Sequence, residues 1–155
     1  MGATKDVARF AIKTTFDDFD ADTIKWVKRI LLSAVGMTLA GVQTTTGKRV
    51  LNYVKKYSAP KESGIIGAGF RTSAELAAIA MAATSHSTEF EDDAPPDLST
   101  DVGYFPAVFA LGEKLHVSGK ELMEALVISF DIGSKLTVLG LEGGVIRGGM
   151  GPYLC

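Results

Sequence analysis

Apolar side chains recur every three or four positions through most of the chain, and alternation with a period of two is scarce. A repeat of three to four residues is typical of amphipathic helices, whereas half-exposed strands alternate at every second residue. The pattern therefore predicts an all-α fold. We expect a single domain over residues 1–155, because the chain has no internal repeat and no stretch with the composition of a linker.

The same spacing predicts where the helices lie. Six are expected, close to residues 7–14, 24–41, 48–57, 73–84, 103–115 and 120–140. Thr72 with Glu75, and Ser118 with Glu121, have the spacing of capping boxes at two helix starts. Between the third and fourth helices the sequence is rich in turn residues, and a short strand is expected at Ile65 and Ile66.

The fourth predicted helix is unusual because it is rich in alanine and has no charge after its first turn. Small side chains let neighbouring helices approach closely, so we expect this helix to be buried. It ends near His86 and is followed at once by an acidic cluster, which we define by its five carboxylate residues: Glu89, Glu91, Asp92, Asp93 and Asp97.

Charge and composition exclude several classes of protein. The formal net charge is −2, and neither a basic face nor a basic tail is present, so nucleic acid and anionic membranes are not expected partners. The longest apolar run is about 13 residues, shorter than the roughly 20 that span a bilayer. A single cysteine, Cys155, excludes an internal disulfide and suits a reducing compartment. With no apolar core of a signal peptide near the N-terminus, we expect a cytoplasmic location.

Three interpretations of the acidic cluster remain open from the residues alone. Its carboxylate oxygens suit Mg²⁺ or Ca²⁺, but their spacing matches no EF-hand loop. Composition by itself favours a solvated loop between two helices. The third interpretation is an acid/base site, in which crowded like charges raise one carboxyl pKa toward neutrality. No Lys or Arg lies between Arg71 and Lys114 to offset the cluster.

The stretches GIIGAGFRTSAELAAIAMAATSHSTEFEDD and YFPAVFALGEKLHVSGKELMEALVISFDIGSKL, together with DTIKWVKRILLSAVGMTLAG, resemble the N-terminal helical domain of the MmgE/PrpD family. That family includes 2-methylcitrate dehydratase, cis-aconitate decarboxylase and iminodisuccinate epimerase. The resemblance spans most of residues 6–150, and it rests on the order and spacing of these motifs together.

The resemblance also assigns residues to the family's site. The family's pattern His-x-x-Asp-Phe-Asp-Asp falls on HSTEFED, which places His86 on the histidine, Glu89 on the first aspartate and Asp92 on the last. It implies that Glu89 transfers protons, that Asp92 and Asp93 shape the pocket, and that His86 positions the helix end. The family's later His-Pro-Ser motif falls on residues 99–101, so that Ser99 replaces one histidine. In the same way, Met150 replaces a second histidine.

The resemblance implies chemistry without a cofactor or a metal, next to the carboxylates of small di- or tricarboxylic acids. It also implies dimers, and a smaller α+β domain that the chain lacks. We therefore expect a truncated or diverged relative of lyases that act on compounds such as 2-methylcitrate or cis-aconitate, with weak or no activity by itself. The alternative hypothesis is a non-catalytic helical module that forms a homodimer or associates with a full-length relative.

Overall fold

A computed structural model describes residues 2–94 and 98–142, with the side chains of residues 2–92 and 101–136. Within these ranges the chain is mainly helical, and the predicted all-α fold is confirmed. The helices are α1 (Ala3–Lys13), α2 (Ala21–Gly41), α3 (Thr45–Val54), α4 (Ala74–His86), α5 (Thr100–Leu115) and α6 (Gly119–Glu142). Two antiparallel ladders of two-residue strands pair β1 (Ser63–Gly64) with β2 (Arg71–Thr72), and β3 (Asp93–Ala94) with β4 (Leu98–Ser99).

Side-chain caps fix the starts of several helices. The carboxylate of Asp20 accepts the backbone N–H of Thr23 at 2.7 Å at the start of α2. The predicted capping box before α6 is confirmed: Ser118 N–H donates to Glu121 at 2.7 Å, and Glu121 N–H donates to the Ser118 hydroxyl at 3.3 Å. These bonds use backbone donors that the first turn of a helix leaves without partners.

Two local predictions between α3 and α4 are wrong by one or two residues. The strand lies at Ser63–Gly64 instead of Ile65 and Ile66, because Ile65 is drawn into the core, where it is 3% exposed. The cap of α4 is Ser73, whose hydroxyl accepts the N–H of Leu76, instead of Thr72. Thr72 belongs to β2 and is buried there, so it does not cap the helix.

Helix α4 lies at the centre of the fold and packs against α2, α3 and α5. Its buried face carries small side chains, so its neighbours approach the backbone closely. The tightest approach is to Gly41 at the end of α2, where a Cβ atom would lie 1.8 Å from the carbonyl oxygen of Thr84. The Thr84 hydroxyl donates to the carbonyl of Ala80 at 2.9 Å, so this buried polar group is satisfied within the helix.

The core consists of two clusters of buried side chains. The first joins α3, α4 and α5 with Ile65, and the second joins α2, α5 and α6 around Phe105 and Leu126. Ile66 and Phe109 pack against both clusters. Helix α5 contributes to each of them, so its first turn, which follows the acidic cluster in sequence, is held by the whole core.

The β1–β2 hairpin is fastened to α5 by Glu113. Its carboxylate accepts the N–H of Gly64 at 2.8 Å and the hydroxyl of Ser63 at 3.0 Å, and it forms an ion pair with Arg71. Burial opposes ionisation of Glu113, but the bonds from Gly64, Arg71 and Ser63 outweigh burial and hold its pKa below the usual value. The hairpin therefore fixes α5 near its C-terminal end.

None of the helices within residues 2–94 and 98–142 has both the length and the hydropathy that a bilayer crossing requires.

Substituting Gly41 tests the central helix contact. Gly41→Ala forces a methyl group against the backbone of Thr84, which cannot yield as a flexible side chain would. We expect the free energy of unfolding, measured by urea denaturation, to fall by about 2 to 4 kcal/mol. Gly103→Ala in α5 is the matched control, because an added Cβ there meets no atom within 4 Å. It should leave stability unchanged or raise it by about 1 kcal/mol. Equal effects of the two substitutions would contradict this packing.

Candidate functional site

The C-terminal end of α4 is a rigid mount for the residues that follow it. The hydroxyl of Ser85 donates to the carbonyl of Met81 at 2.8 Å, and the Ser87 hydroxyl donates to the carbonyl of Thr84 at 2.7 Å. The hydroxyls of Ser87 and Thr44 lie 2.9 Å apart, which ties this end of α4 to the start of α3. The chain therefore leaves α4 from a fixed point, as a precise site requires.

His86, the last residue of α4, is brought together with Glu91. Its Nδ1 atom lies 2.8 Å from Glu91 Oε1, and the Glu91 side chain is only 8% exposed. The chain turns back between them because Glu89 adopts the left-handed region, with φ of 53°. A non-glycine residue is uncommon there, and such backbone strain often occurs at functional sites. The sequence analysis correctly predicted that His86 lies at the end of α4, but it did not identify Glu91 as the partner of His86.

Glu89 and Phe90 occupy the tip of this turn and face solvent. Phe90 is 79% exposed, and Glu89 is exposed as well. Phe90 forms one wall of a groove of about 460 Å³ that runs along α2, with Arg29 among its lining residues. Arg29 of α2 and Phe90 of the turn thus line the same groove, although they are far apart in sequence.

Asp101, in the first turn of α5, is the functional candidate that sequence reasoning missed. Its side chain is 0% exposed, although an acid in the first turn of a helix ordinarily lies in solvent and interacts with the helix dipole. Its Oδ1 atom accepts the N–H of Val102 at 2.9 Å, whereas Oδ2 is buried with no hydrogen-bond partner among the described residues. Its burial depends on the tertiary fold, so no local signal in the sequence marks it.

The electrostatic state of Asp101 differs from that of an ordinary carboxyl group. Burial, and to a smaller extent the negative charge of Asp92, raise the pKa of Asp101 to about 6. Hydrogen bonds from the backbone N–H groups of Val102 and Asp92 oppose this shift without cancelling it. A buried group that titrates near neutrality beside a second carboxylate has the properties of a proton-transfer residue.

The remaining predicted residues are only partly described. The backbones of Asp93 and Ser99 are register partners in the β3–β4 ladder, so the fold brings Ser99, which the resemblance aligns with a family histidine, opposite one residue of the acidic cluster. Met150 and Asp97 lie outside the described residues. Within the described part of the chain, no group of three or more His, Cys, Asp or Glu residues is placed to hold a metal ion.

Comparison with protein families matches residues 5–140 to the MmgE/PrpD N-terminal domain. This match covers most of the 155 residues. The chain belongs to the MmgE/PrpD family. The match includes both sides of the candidate site, from the end of α4 to the first turn of α5. A comparison with curated proteins finds no match.

The unusual carboxyl group of Asp101 predicts a specific dependence of stability on pH. Its folded pKa of about 6 lies above the ordinary value of 3.8, so the folded protein binds more protons between these values than the unfolded chain does. Stability from this group is therefore present at low pH and is lost as the pH rises through about 6. The loss amounts to about 3 kcal/mol in the free energy of unfolding.

The free energy of unfolding is measured at a series of pH values from acid to neutral. The wild type is compared with Asp101→Asn and with a second variant, Asp101→Ser. The difference between wild type and variant isolates this group from the other carboxylates. We expect the wild type to lose stability relative to both variants as the pH rises. A difference that stays constant with pH would show that Asp101 titrates normally.

Proposed function

We propose that this MmgE/PrpD protein carries part of the proton-transfer site of a lyase, a dehydratase or decarboxylase, that acts on small polycarboxylic acids. Compounds resembling 2-methylcitrate or cis-aconitate are the proposed substrates. Loss of water or CO₂ next to a carboxylate requires a group that takes a proton from carbon or returns one to it. The family's chemistry needs no cofactor or metal, and we extend this to the chain.

The observation that carries the proposal is the buried carboxyl group of Asp101, on which the charge of Asp92 acts, close to further titratable groups in the segment after α4. The end of α4 presents His86, the turn presents Glu89 and Asp92, and α5 adds a buried carboxyl group with a pKa of about 6. A proton donor or acceptor is most effective when its pKa lies near the working pH. A purely solvated loop would leave every carboxyl group near its ordinary pKa.

Each residue has a proposed role. Glu89 faces solvent at the turn tip and is the carboxylate proposed to exchange a proton with the substrate. Asp92 and Asp93 shape the pocket beside it, and His86, held against Glu91, positions the helix end. Ser99 and Met150 replace the family's histidines, so two groups that would stabilise or protonate an anionic intermediate are absent. We therefore propose weak activity for these 155 residues, as one domain in the reducing cytoplasm.

Activity is tested by incubating the purified protein with 2-methylcitrate, citrate or cis-aconitate and following the absorbance of conjugated products. We expect slow turnover of one of them, and at least a tenfold decrease for Glu89→Gln, which removes the ionisable group while keeping its size. Asp17→Asn is the matched control, because it removes an exposed carboxylate from the short 3-10 helix Phe16–Asp18. Turnover that Glu89→Gln leaves unchanged would remove Glu89 from the mechanism.

A second function, that of a helical association module, is favoured by the outward face of α2. From Ile30 to the end of the helix there is no charged residue, yet Leu32 is 75% and Leu39 48% exposed. Small residues on the same face, Gly36 and Ala40, are exposed as well. Exposed helix faces are normally charged, and an apolar face with small residues suits close packing against another helix.

Charge complementarity favours a second copy of this chain as the occupant of that face. Lys25, Lys28 and Arg29 lie on the exposed N-terminal half of α2. The end of α4 packs against the other end of α2, and Phe90, which follows the acidic Glu89 in sequence, lines the groove there. An antiparallel pair of α2 helices crossing near Gly36 would bring the basic end of each copy to the acidic end of the other. Such a contact is self-complementary, as a two-fold dimer requires.

Sedimentation equilibrium tests this dimer. We expect Arg29→Glu and Glu89→Lys each to weaken association, and the double variant to restore it, because the exchanged charges face each other again across the contact. Arg49→Glu is the control, since Arg49 is an exposed cation on α3, away from this face. A wild type that stays monomeric over the whole concentration range excludes the homodimer. Binding only to a full-length relative would assign the face to that partner.

A further inference from the structure

Two carboxyl groups of the site come together from different elements. Asp92 lies in the segment after α4 and is exposed, whereas Asp101 lies in the first turn of α5 and is fully buried. The backbone N–H of Asp92 donates a hydrogen bond to the carboxylate of Asp101, and the charge of Asp92 acts on it directly. The exposed Asp92 thus neighbours the buried carboxyl group of Asp101.

The two oxygen atoms of Asp101 have different surroundings. Oδ1 accepts the N–H of Val102 at 2.9 Å, but Oδ2 is buried with no hydrogen-bond partner within the described residues. A buried anionic oxygen without a donor is costly, and a proton on it removes the charge and supplies a donor. Oδ2 is therefore the atom at which a proton is best accommodated.

We propose that Asp92 and Asp101 form a carboxylate–carboxyl pair that holds one proton, with Asp92 as the exposed member that meets the substrate and Asp101 as the positioning residue behind it. This inference rests on the lyase function proposed above, and it adds a residue to the proposed site. It differs from the role given to Glu89 because the buried partner keeps one proton within the site.

The charges around Asp101 support a shared proton. Its pKa of about 6 follows first from burial and then from Asp92, the charged side chain that acts on it among the described residues. Of the other titratable groups at the end of α4, His86 and Glu91 lie against each other. A buried carboxyl group beside a carboxylate retains its proton to a higher pH than a solvated carboxyl group does.

The position of Asp101 along the chain is also informative. Asp101 follows Ser99, the residue aligned with a family histidine, by two positions. A histidine titrates ordinarily near pH 6.5, and Asp101 titrates in a similar range because of its surroundings. A carboxyl group in this environment can thus hold and release protons near neutrality where an imidazole is missing.

For a dehydration, the proton balance of the pair closes. Glu89 takes a proton from the carbon next to the substrate carboxylate, and the electron pair of that C–H bond becomes the second bond of the new C=C. The C–O bond breaks with its electron pair on oxygen, and the leaving hydroxyl takes the proton of the pair through Asp92 to become water. The proton on Glu89 then returns to the pair, so the pair begins and ends with one proton and Glu89 ends as a carboxylate.

The test follows the side-chain carboxyl carbon of Asp101 by NMR from acid to neutral pH in the ¹³C-labelled full chain. We expect Asp101 to titrate near pH 6 in the wild type and at a lower pH in Asp92→Asn, because the variant lacks the neighbouring charge but keeps the backbone N–H. Glu89→Gln removes a carboxylate of the same acidic cluster that does not shift the pKa of Asp101. Asp101 should therefore titrate in this variant as it does in the wild type.

An ordinary titration of Asp101 near pH 4, or equal responses to the two substitutions, would overturn the pair. Where turnover is measurable, Asp101→Asn should displace the acid limb of the pH profile of kcat/KM, whereas a purely structural effect lowers activity equally at every pH. Absence of turnover in the wild type counts against the lyase function alone, since the NMR titration decides independently whether the pair exists.

Discussion

The close contact between α2 and α4 is the constraint on which the rest of the structure depends. Gly41 has no side chain, and the backbone of Thr84 occupies the space that one would need. This approach is possible only because α4 carries small residues on its buried face, with hydroxyl groups that bond to their own helix. Since dense packing tolerates little added volume, the position of α4 is sharply defined. The start of α3 and the hydroxyl of Ser87 are fixed by the same arrangement, because Thr44 bonds to Ser87.

Burial of α4 also explains why acidic residues concentrate at its end. A helix surrounded by α2, α3 and α5 has no room for charge, so its polar chemistry begins where it leaves the core at His86. Glu89 and Asp92, which follow it, reach solvent, where water and salt reduce the repulsion between charges. Asp101 does not, because α5 belongs to both core clusters and its first turn is held inside. The buried carboxyl group of Asp101 thus lowers the stability of the fold at neutral pH. Groups that destabilise a fold are common where function requires a perturbed pKa.

The helices could be predicted because their signal is local, whereas the contacts within the site could not. The spacing of apolar residues located α2, α4 and α6 to within a few positions, and the Ser118–Glu121 capping box held. The short strand was misplaced because the hairpin is fixed by Glu113, which is 49 residues from Gly64. His86 was placed correctly, but its contact with Glu91 depends on the left-handed backbone of Glu89. The burial of Asp101 depends on the packing of several helices, which no local pattern records.

Helix α2 has small residues both on its inner face, toward α4, and on its outer face. The close packing at the inner face shows what a similar surface on the outer face is suited to. On the inner face Gly41 admits another helix, and the contact with α4 is the result. On the outer face Gly36 and Ala40 offer a similarly low surface beside the exposed Leu32, with no charge after Arg29. A helix face that evolved only for solvent would gain from charged side chains there, since they raise solubility and prevent association. Because the candidate site begins at the other wall of the same groove, at Phe90, a chain packed on α2 would also enclose the acidic turn. The proposed association and the proposed proton transfer therefore use adjoining surfaces, and covering that turn would exclude water from the carboxylates proposed to react.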